Sequence, residues 1–324
     1  MPPIAPAIDS VTVAICTFRR PSLREALRSL QGQAPAHVRL RIVVVDNDDE
    51  PSAQKLAEAC RTEFDLPVEY RHAPGRNISI ARNVCLEMAG QGWLAFLDDD
   101  ETATRGWLAK LLERAGNGEA AVVFAPVRAV YGADCPAWIR DGDFHSISVT
   151  YVGGKIITGY TSNVLINLDH PSVRGRRFQL DLGRSGGEDT KFFSDIHRAG
   201  GLLDFVPEAF VEEIAVPERN SFRWLFRRRF RYGQTHGRLL AAADTPAARW
   251  LAFGIAASKV LYCLADSGLH LRSAVGWRKS FLRGALHLGA MSRLLGMREL
   301  VLYGAVPAGS SVNAAGDGAP HATE

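Results

Sequence analysis

Over its first 125 residues the chain alternates two patterns. Short, mostly apolar runs at 11–17, 41–45, 93–97 and 120–125 read as buried strands, with a shorter strand at 68–70. Between them, 21–30, 51–61, 78–88 and 104–115 space their apolar residues three or four apart, as a helix with one buried side does. Pro21 and Pro51 stand where a first helical turn accepts proline. Strand and helix in such alternation specify an α/β fold, a Rossmann-like, mostly parallel sheet with helices on both faces.

Beyond Pro126 the pattern becomes irregular. Tyr131, Trp138 and Phe144 lie among glycines and prolines, which suits either a loop-rich wall of a substrate cleft or a structured lid. A strand is expected at 161–167, and helical spacing resumes after Gly186-Gly187-Glu188-Asp189 until Gly200-Gly201. From Asn220 the chain reads as helical. One helix sets Phe222, Leu225, Phe226 and Phe230 on one side and Arg223, Arg227 and Arg231 on another, and further apolar helical pieces follow at 247–264 and 281–302. From Pro307 Gly, Ala and Ser dominate, the composition of a disordered tail. The expected organisation is a tail at 1–9, a catalytic domain at 10–218, a helical region at 219–306 and a tail at 307–324.

Composition narrows the field. A 324-residue chain with 47% hydrophobic residues suits a catalytic domain with an appendage, and a net charge of +3 is too small to call for a nucleic-acid partner. Five cysteines, odd in number and without a Cys-x-x-Cys pair, suggest neither a disulfide framework nor a zinc site, so a reducing cytoplasm is the default. The N-terminus lacks the segments of a signal peptide. Arg249, Lys259 and Asp266 interrupt the best candidate for a spanning helix. Peripheral attachment to a membrane stays open, and the basic amphipathic helix at 219–231 is the surface for it, with contact to phosphates or a plain solvated face as its alternatives.

Two of the strands end abruptly in acids, Asp46-Asn47-Asp48-Asp49-Glu50 and Asp98-Asp99-Asp100-Glu101. Ligands of open α/β sheets bind at this end of the strands. Adjacent carboxylates repel unless a cation offsets them, and a divalent metal with oxygen ligands, bridging to a phosphate, is the natural occupant. A solvated acidic turn is the plainer alternative. For Glu188-Asp189 the helix dipole alone accounts for two acids in a first turn, and a catalytic role is the second possibility. His72, His145 and His236 are lone histidines with no ligand pairing. Neither a Gly-x-Gly-x-x-Gly turn, a Walker lysine motif nor a serine nucleophile elbow follows a strand.

Taken together, Val-Ala-Ile-Cys-Thr17-Phe18-Arg-Arg20-Pro, Val-Val-Val-Asp46-Asn47, Ile-Ala-Arg82-Asn83, Phe-Leu-Asp98-Asp99-Asp100-Glu and Gly-Gly-Glu188-Asp189-Thr-Lys-Phe resemble the family-2 glycosyltransferases of GT-A fold, in the bacterial branch that makes succinoglycan-type exopolysaccharides. The resemblance covers about 11–304. It implies an inverting transfer of one sugar from a nucleotide-sugar, most often a UDP-sugar, to a hydroxyl of a lipid-linked saccharide at the cytoplasmic face of the bacterial inner membrane. It implies Mg²⁺ or Mn²⁺ at Asp100 and Asp98, with Asp98 and Asp99 also on the donor side. Thr17, Phe18 and Arg20 are implied around the base, Asp46 and Asn47 at the base or ribose, and Arg82 near the diphosphate. Asp189 matches the general base, with Glu188 orienting the acceptor. The Gln-x-x-Arg-Trp motif of processive synthases is absent, which favours single addition.

Other readings are separable. A sugar-nucleotide pyrophosphorylase or cytidylyltransferase shares the sheet and the acid-bound metal, but needs a Gly-rich loop after the first strand that Cys16-Thr-Phe-Arg-Arg-Pro does not provide. A non-catalytic nucleotide-sugar-binding module at a membrane surface would have no need of Asp46, Asp98, Asp100 and Asp189 together.

Overall fold

The computed structural model describes residues 8–241 and 245–299. The expected tail at 307–324, the last part of the helical piece at 281–302 and residues 1–7 of the expected N-terminal tail lie outside them. The chain opens with β1 (Ser10–Thr17), α1 (Leu23–Ser29), β2 (Arg39–Asp46), α2 (Gln54–Glu63), β3 (Val68–His72), α3 (Ile78–Ala89) and β4 (Trp93–Phe96), the alternation the pattern predicts. It continues through β5 (Glu101–Ala103), α4 (Trp107–Gly116), β6 (Ala120–Phe124), β7 (Val127–Tyr131) and α5 (Ala137–Gly142). A short hairpin of β8 (Tyr151–Val152) and β9 (Lys155–Ile156) precedes β10 (Val164–Asn167), α6 (Glu188–Arg198), β11 (Leu202–Phe205) and β12 (Val211–Ala215). Three helices end the described residues: α7 (Phe222–Ala241), α8 (Pro246–Leu269) and α9 (Gly276–Leu294).

Among the described residues, seven strands form one sheet in the order β11-β6-β10-β4-β1-β2-β3. All neighbours run parallel except β10, which is antiparallel to both β4 and β6. Alternation along β1 and β2 explains the two layers. Val13, Ile15, Ile42 and Val44 face α1 and α4, where Leu23, Leu27, Trp107 and Leu111 are fully buried. Ala14, Val43 and Val45 face the opposite side, closed by Phe192, Phe193 and Ile196 of α6 and by Ala81 and Cys85 of α3.

The irregular region proves partly regular. A second sheet, β5-β12-β7, stands at the carboxyl end of the main one. Its strands pass unnoticed in sequence because β5 is three residues long and β12, Val-Glu-Glu-Ile-Ala, breaks its apolar pattern with two glutamates.

A correction concerns the C-terminal region. α8 is long and apolar enough, by length and composition, to cross a membrane, with a mean hydropathy of 1.3 over its best window and 11% of that window buried. Two of the three charges expected to disqualify it are turned onto its neighbour, while Lys259 stays exposed: Arg249 Nε donates to the Leu294 carbonyl at 2.7 Å, and Asp266 accepts from the Ser280 hydroxyl. Counting charges along a line does not show which side of a helix they occupy.

Candidate active site

The carboxyl ends of β1, β2 and β4 converge. Thr17 and Asp46 are register partners; the Thr17 carbonyl accepts from Asn47 N at 2.9 Å, and its hydroxyl donates to Asp99 Oδ2 at 2.7 Å. Thr17 therefore ties both acid-tipped strand ends together. Phe18 follows, with the Arg19 guanidinium 5.4 Å from its ring centroid, and Arg19 itself donates to Asp48 at 2.6 Å.

Asp46 and Asn47 work on the loops. Asp46 is fully buried, and its carboxylate accepts from Asp48 N at 3.0 Å, Ala53 N at 2.8 Å and the Tyr70 hydroxyl at 3.0 Å. Asn47 donates to the Ala73 carbonyl and accepts from Asn77 N, both at 2.6 Å. With these partners Asp46 ties the loop after β2 to the start of α2 and to β3.

The acidic turn is compact. Asp98 N donates to Glu101 Oε2 at 2.9 Å and Glu101 N to the Asp98 carbonyl at 3.2 Å. In the second sheet Glu213 of β12 is the register partner of Glu101, so a fifth acid joins Asp98, Asp99, Asp100 and Glu101. Burial, reinforced by the neighbouring acids, pushes Asp98 up to about 7 and Asp99 up to about 6. It also raises Glu101 and Glu213. Asp100 sits at the mouth, its side chain 25% exposed, with Arg20 at 3.6 Å and Arg219 at 3.7 Å; Arg219 also pairs with Glu213 at 2.5 Å.

Arg82 of α3 bridges this turn to the start of α6. It is buried, forms an ion pair with Glu188, lies 5.6 Å from the Phe178 ring centroid, and feels the charges of both Asp189 and Asp98. Sequence-distant acids thus share one cation. Asp189 Oδ1 accepts from Thr190 N at 2.6 Å, and burial followed by the Glu188 charge pushes its pKa up to about 6. Glu188 Oε2 is buried and takes no partner among the described residues. Gly187, at φ +95°, caps α6, and a Cβ there would overlap Thr235 of α7, which is why the turn before Glu188 demands glycine.

The basic helix divides its arginines. Arg223 and Arg227 are exposed, whereas Arg231 Nη1 lies 3.2 Å from where a Gly186 Cβ would stand. Arg228 donates to the Tyr232 hydroxyl at 2.8 Å, and Tyr232 in turn feels the Asp189 charge. Glu213, Arg219 and Arg228 were not singled out by sequence. The clustering of arginines at 219–231 was a signal for two of them, but nothing marked Glu213.

The donor atoms suit a hard divalent cation: carboxylate oxygens only, more negative than their arginines compensate. Among the described residues no three such groups stand together as a ready-made cage. Mg²⁺ and Mn²⁺ sites commonly take one or two carboxylates and complete their shell with substrate phosphates.

The sequence model of glycosyl transferase family 2 matches residues 12–178, just over half the chain. The chain belongs to glycosyl transferase family 2. This glycosyltransferase is 48% identical over 296 residues to the succinoglycan biosynthesis protein ExoM of Rhizobium meliloti (strain 1021), covering 91% of its own length and 96% of that protein. Its fold is similar to the mannosyltransferase PcManGT from Pyrobaculum calidifontis, solved with GDP-Man and Mn²⁺, at a TM-score of 0.59 and 18% identity over 89% of this chain and 88% of that one. It is also similar to GalNAc-T7, solved with UDP, GalNAc and Mn²⁺, at a TM-score of 0.53 and 18% identity over 64% and 44% of the two chains. The fold is the GT-A fold, and the family membership makes the chain a glycosyltransferase.

Proposed function

We propose that this glycosyltransferase moves one sugar, with inversion, from a UDP-sugar to a hydroxyl of a lipid-linked saccharide during assembly of a succinoglycan-type exopolysaccharide. The reading places it at the cytoplasmic face of the inner membrane. The observation that carries it is Arg82, ion-paired with Glu188 next to Asp189 and near enough to the acidic turn to feel the charge of Asp98 as well as that of Asp189.

Asp100, backed by Asp98, would hold Mg²⁺ or Mn²⁺, which supplies Lewis-acid stabilisation of the charge that builds on the departing diphosphate. Arg20 and Arg219 beside Asp100, with Arg228 behind them, are placed to add to that stabilisation. Asp189 takes the proton of the acceptor hydroxyl as its oxygen attacks the anomeric carbon opposite the leaving group. A pKa near 6 suits a base that must be ionised at neutral pH yet still hold a proton well. Thr17 and Phe18 line the base side, while Asp46 and Asn47 fix the loops around it.

The test is calorimetric titration with UDP, GDP, CDP and dTDP, each with and without Mn²⁺. Metal-dependent binding of UDP that disappears in Asp100→Ala is expected. Equal binding by that variant would remove the metal from Asp100, and preference for another nucleotide would replace the donor.

A further inference from the structure

The proposal above needs a membrane contact for the lipid acceptor, and the 219–231 helix is poorly free to make it. α7 is clamped on α9, where a Cβ at Gly233 or Gly289 would overlap the carbonyl of Leu286 or Phe230. Part of its basic face is also given to the crevice. The exposed apolar surface lies one helix further on.

On α8, Leu251, Ser258, Leu261, Tyr262, Ala265 and Leu269 recur at helical spacing along one side. That stripe carries no charge. Trp250, Leu251, Leu261 and Tyr262 each expose between 63% and 68% of their surface, and Leu269 and Leu271 continue the apolar face into the turn before α9. The opposite side of α8 packs on α9 through Ala256, Cys263 and Ser267, where Arg249 and Asp266 also find their partners. So large an uncharged surface is a docking site by ordinary standards.

Charge decides the occupant. Between Pro246 and Leu294 seven lysines and arginines stand against one carboxylate, Asp266, and Arg272, Lys279 and Arg283 are exposed at the α8–α9 end. A second copy docked face to face would bring two such cationic hairpins together. An anionic lipid surface is complementary to both features, with Trp250 and Tyr262 suited to the headgroup boundary.

Spanning is disfavoured by the same residues, since it would carry the cations of α9 into hydrocarbon. We propose that α8 lies in the plane of an anionic bilayer, its Leu251–Leu261–Tyr262 face sunk to the acyl boundary, and that this face, not the arginine helix, is the membrane contact of the enzyme. The proposal rests on the lipid-acceptor reading only for its purpose.

The experiment is co-sedimentation of the full chain with vesicles of phosphatidylglycerol and phosphatidylethanolamine, and with phosphatidylcholine alone, in the absence of any sugar substrate. Tight binding to the first and weak binding to the second is expected. Leu251→Asp/Leu261→Asp, both at exposed positions, should weaken binding at least tenfold, while Arg223→Ala/Arg227→Ala should change it less than threefold and UDP binding in both stays as in wild type. Failure of wild type to bind, or unchanged binding by the α8 variant, would overturn the proposal. Conversion of a dimer to a monomer by that variant would do so too, by assigning the face to a second copy. Because no acceptor is present, a wrong acceptor leaves these outcomes unaffected.

Discussion

Asp189 sits where two influences meet. Burial and the adjacent Glu188 lift its pKa, while the Arg82 charge holds the rise to about 6. A base works only when deprotonated, so kcat/KM should fall about tenfold per pH unit below pH 6 and level off above it. Asp189→Asn should lower kcat by about 10²- to 10⁴-fold with UDP affinity kept; a rate assay across pH, paired with nucleotide titration, checks both. Arg82 carries a different burden. Arg82→Met leaves Glu188 buried and unpaired, a loss of about 3–5 kcal/mol in urea denaturation. Adding Glu188→Gln should recover most of it, since the uncompensated charge then disappears. The acids themselves were readable in sequence because they interrupt apolar runs. At Asp46 the strand-end acid that suggests a ligand contact also accepts from Asp48, Ala53 and Tyr70, a structural duty that the strand pattern does not announce.

Among the elements, β1, β2, β4 and β6 are legible because a strand buried on both faces leaves an unbroken apolar run. β5 and β12 are not, since β5 has only three residues and β12 carries two glutamates, with Glu213 the register partner of Glu101, and these acids erase the apolar signature. The start of α6 could be read from its glycines and acids, whereas the side of α8 on which its charges fall could not, because it depends on where α9 packs. The α7–α9 contact yields its own prediction. Gly289→Ala pushes a methyl into the Phe230 carbonyl and should cost about 1–3 kcal/mol. A thermal melt lowered by several degrees, with catalysis at low temperature little changed, is the expected result.

The whole molecule is a GT-A sheet whose acidic edge is closed by helices from the far end of the chain. Arg219 reaches Asp100, and α7 packs on the glycine turn before Glu188. Ligand binding at that edge should therefore stabilise the entire enzyme. UDP with Mn²⁺ at about a hundredfold over its dissociation constant should add about 2.7 kcal/mol, seen as a rise in melting temperature that either component alone does not give and that Asp100→Ala abolishes. Backbone meeting backbone between α7 and α9 has a further result. With no side chain between them to yield, the two helices would, if α8 lies on the bilayer as proposed, form a stiff strut between the crevice and α8, and the reacting hydroxyl would then have to present itself at a set elevation above the lipid. A glycolipid one sugar too short or too long should then be a poor acceptor in vesicles, while the same saccharides freed of lipid differ little from one another.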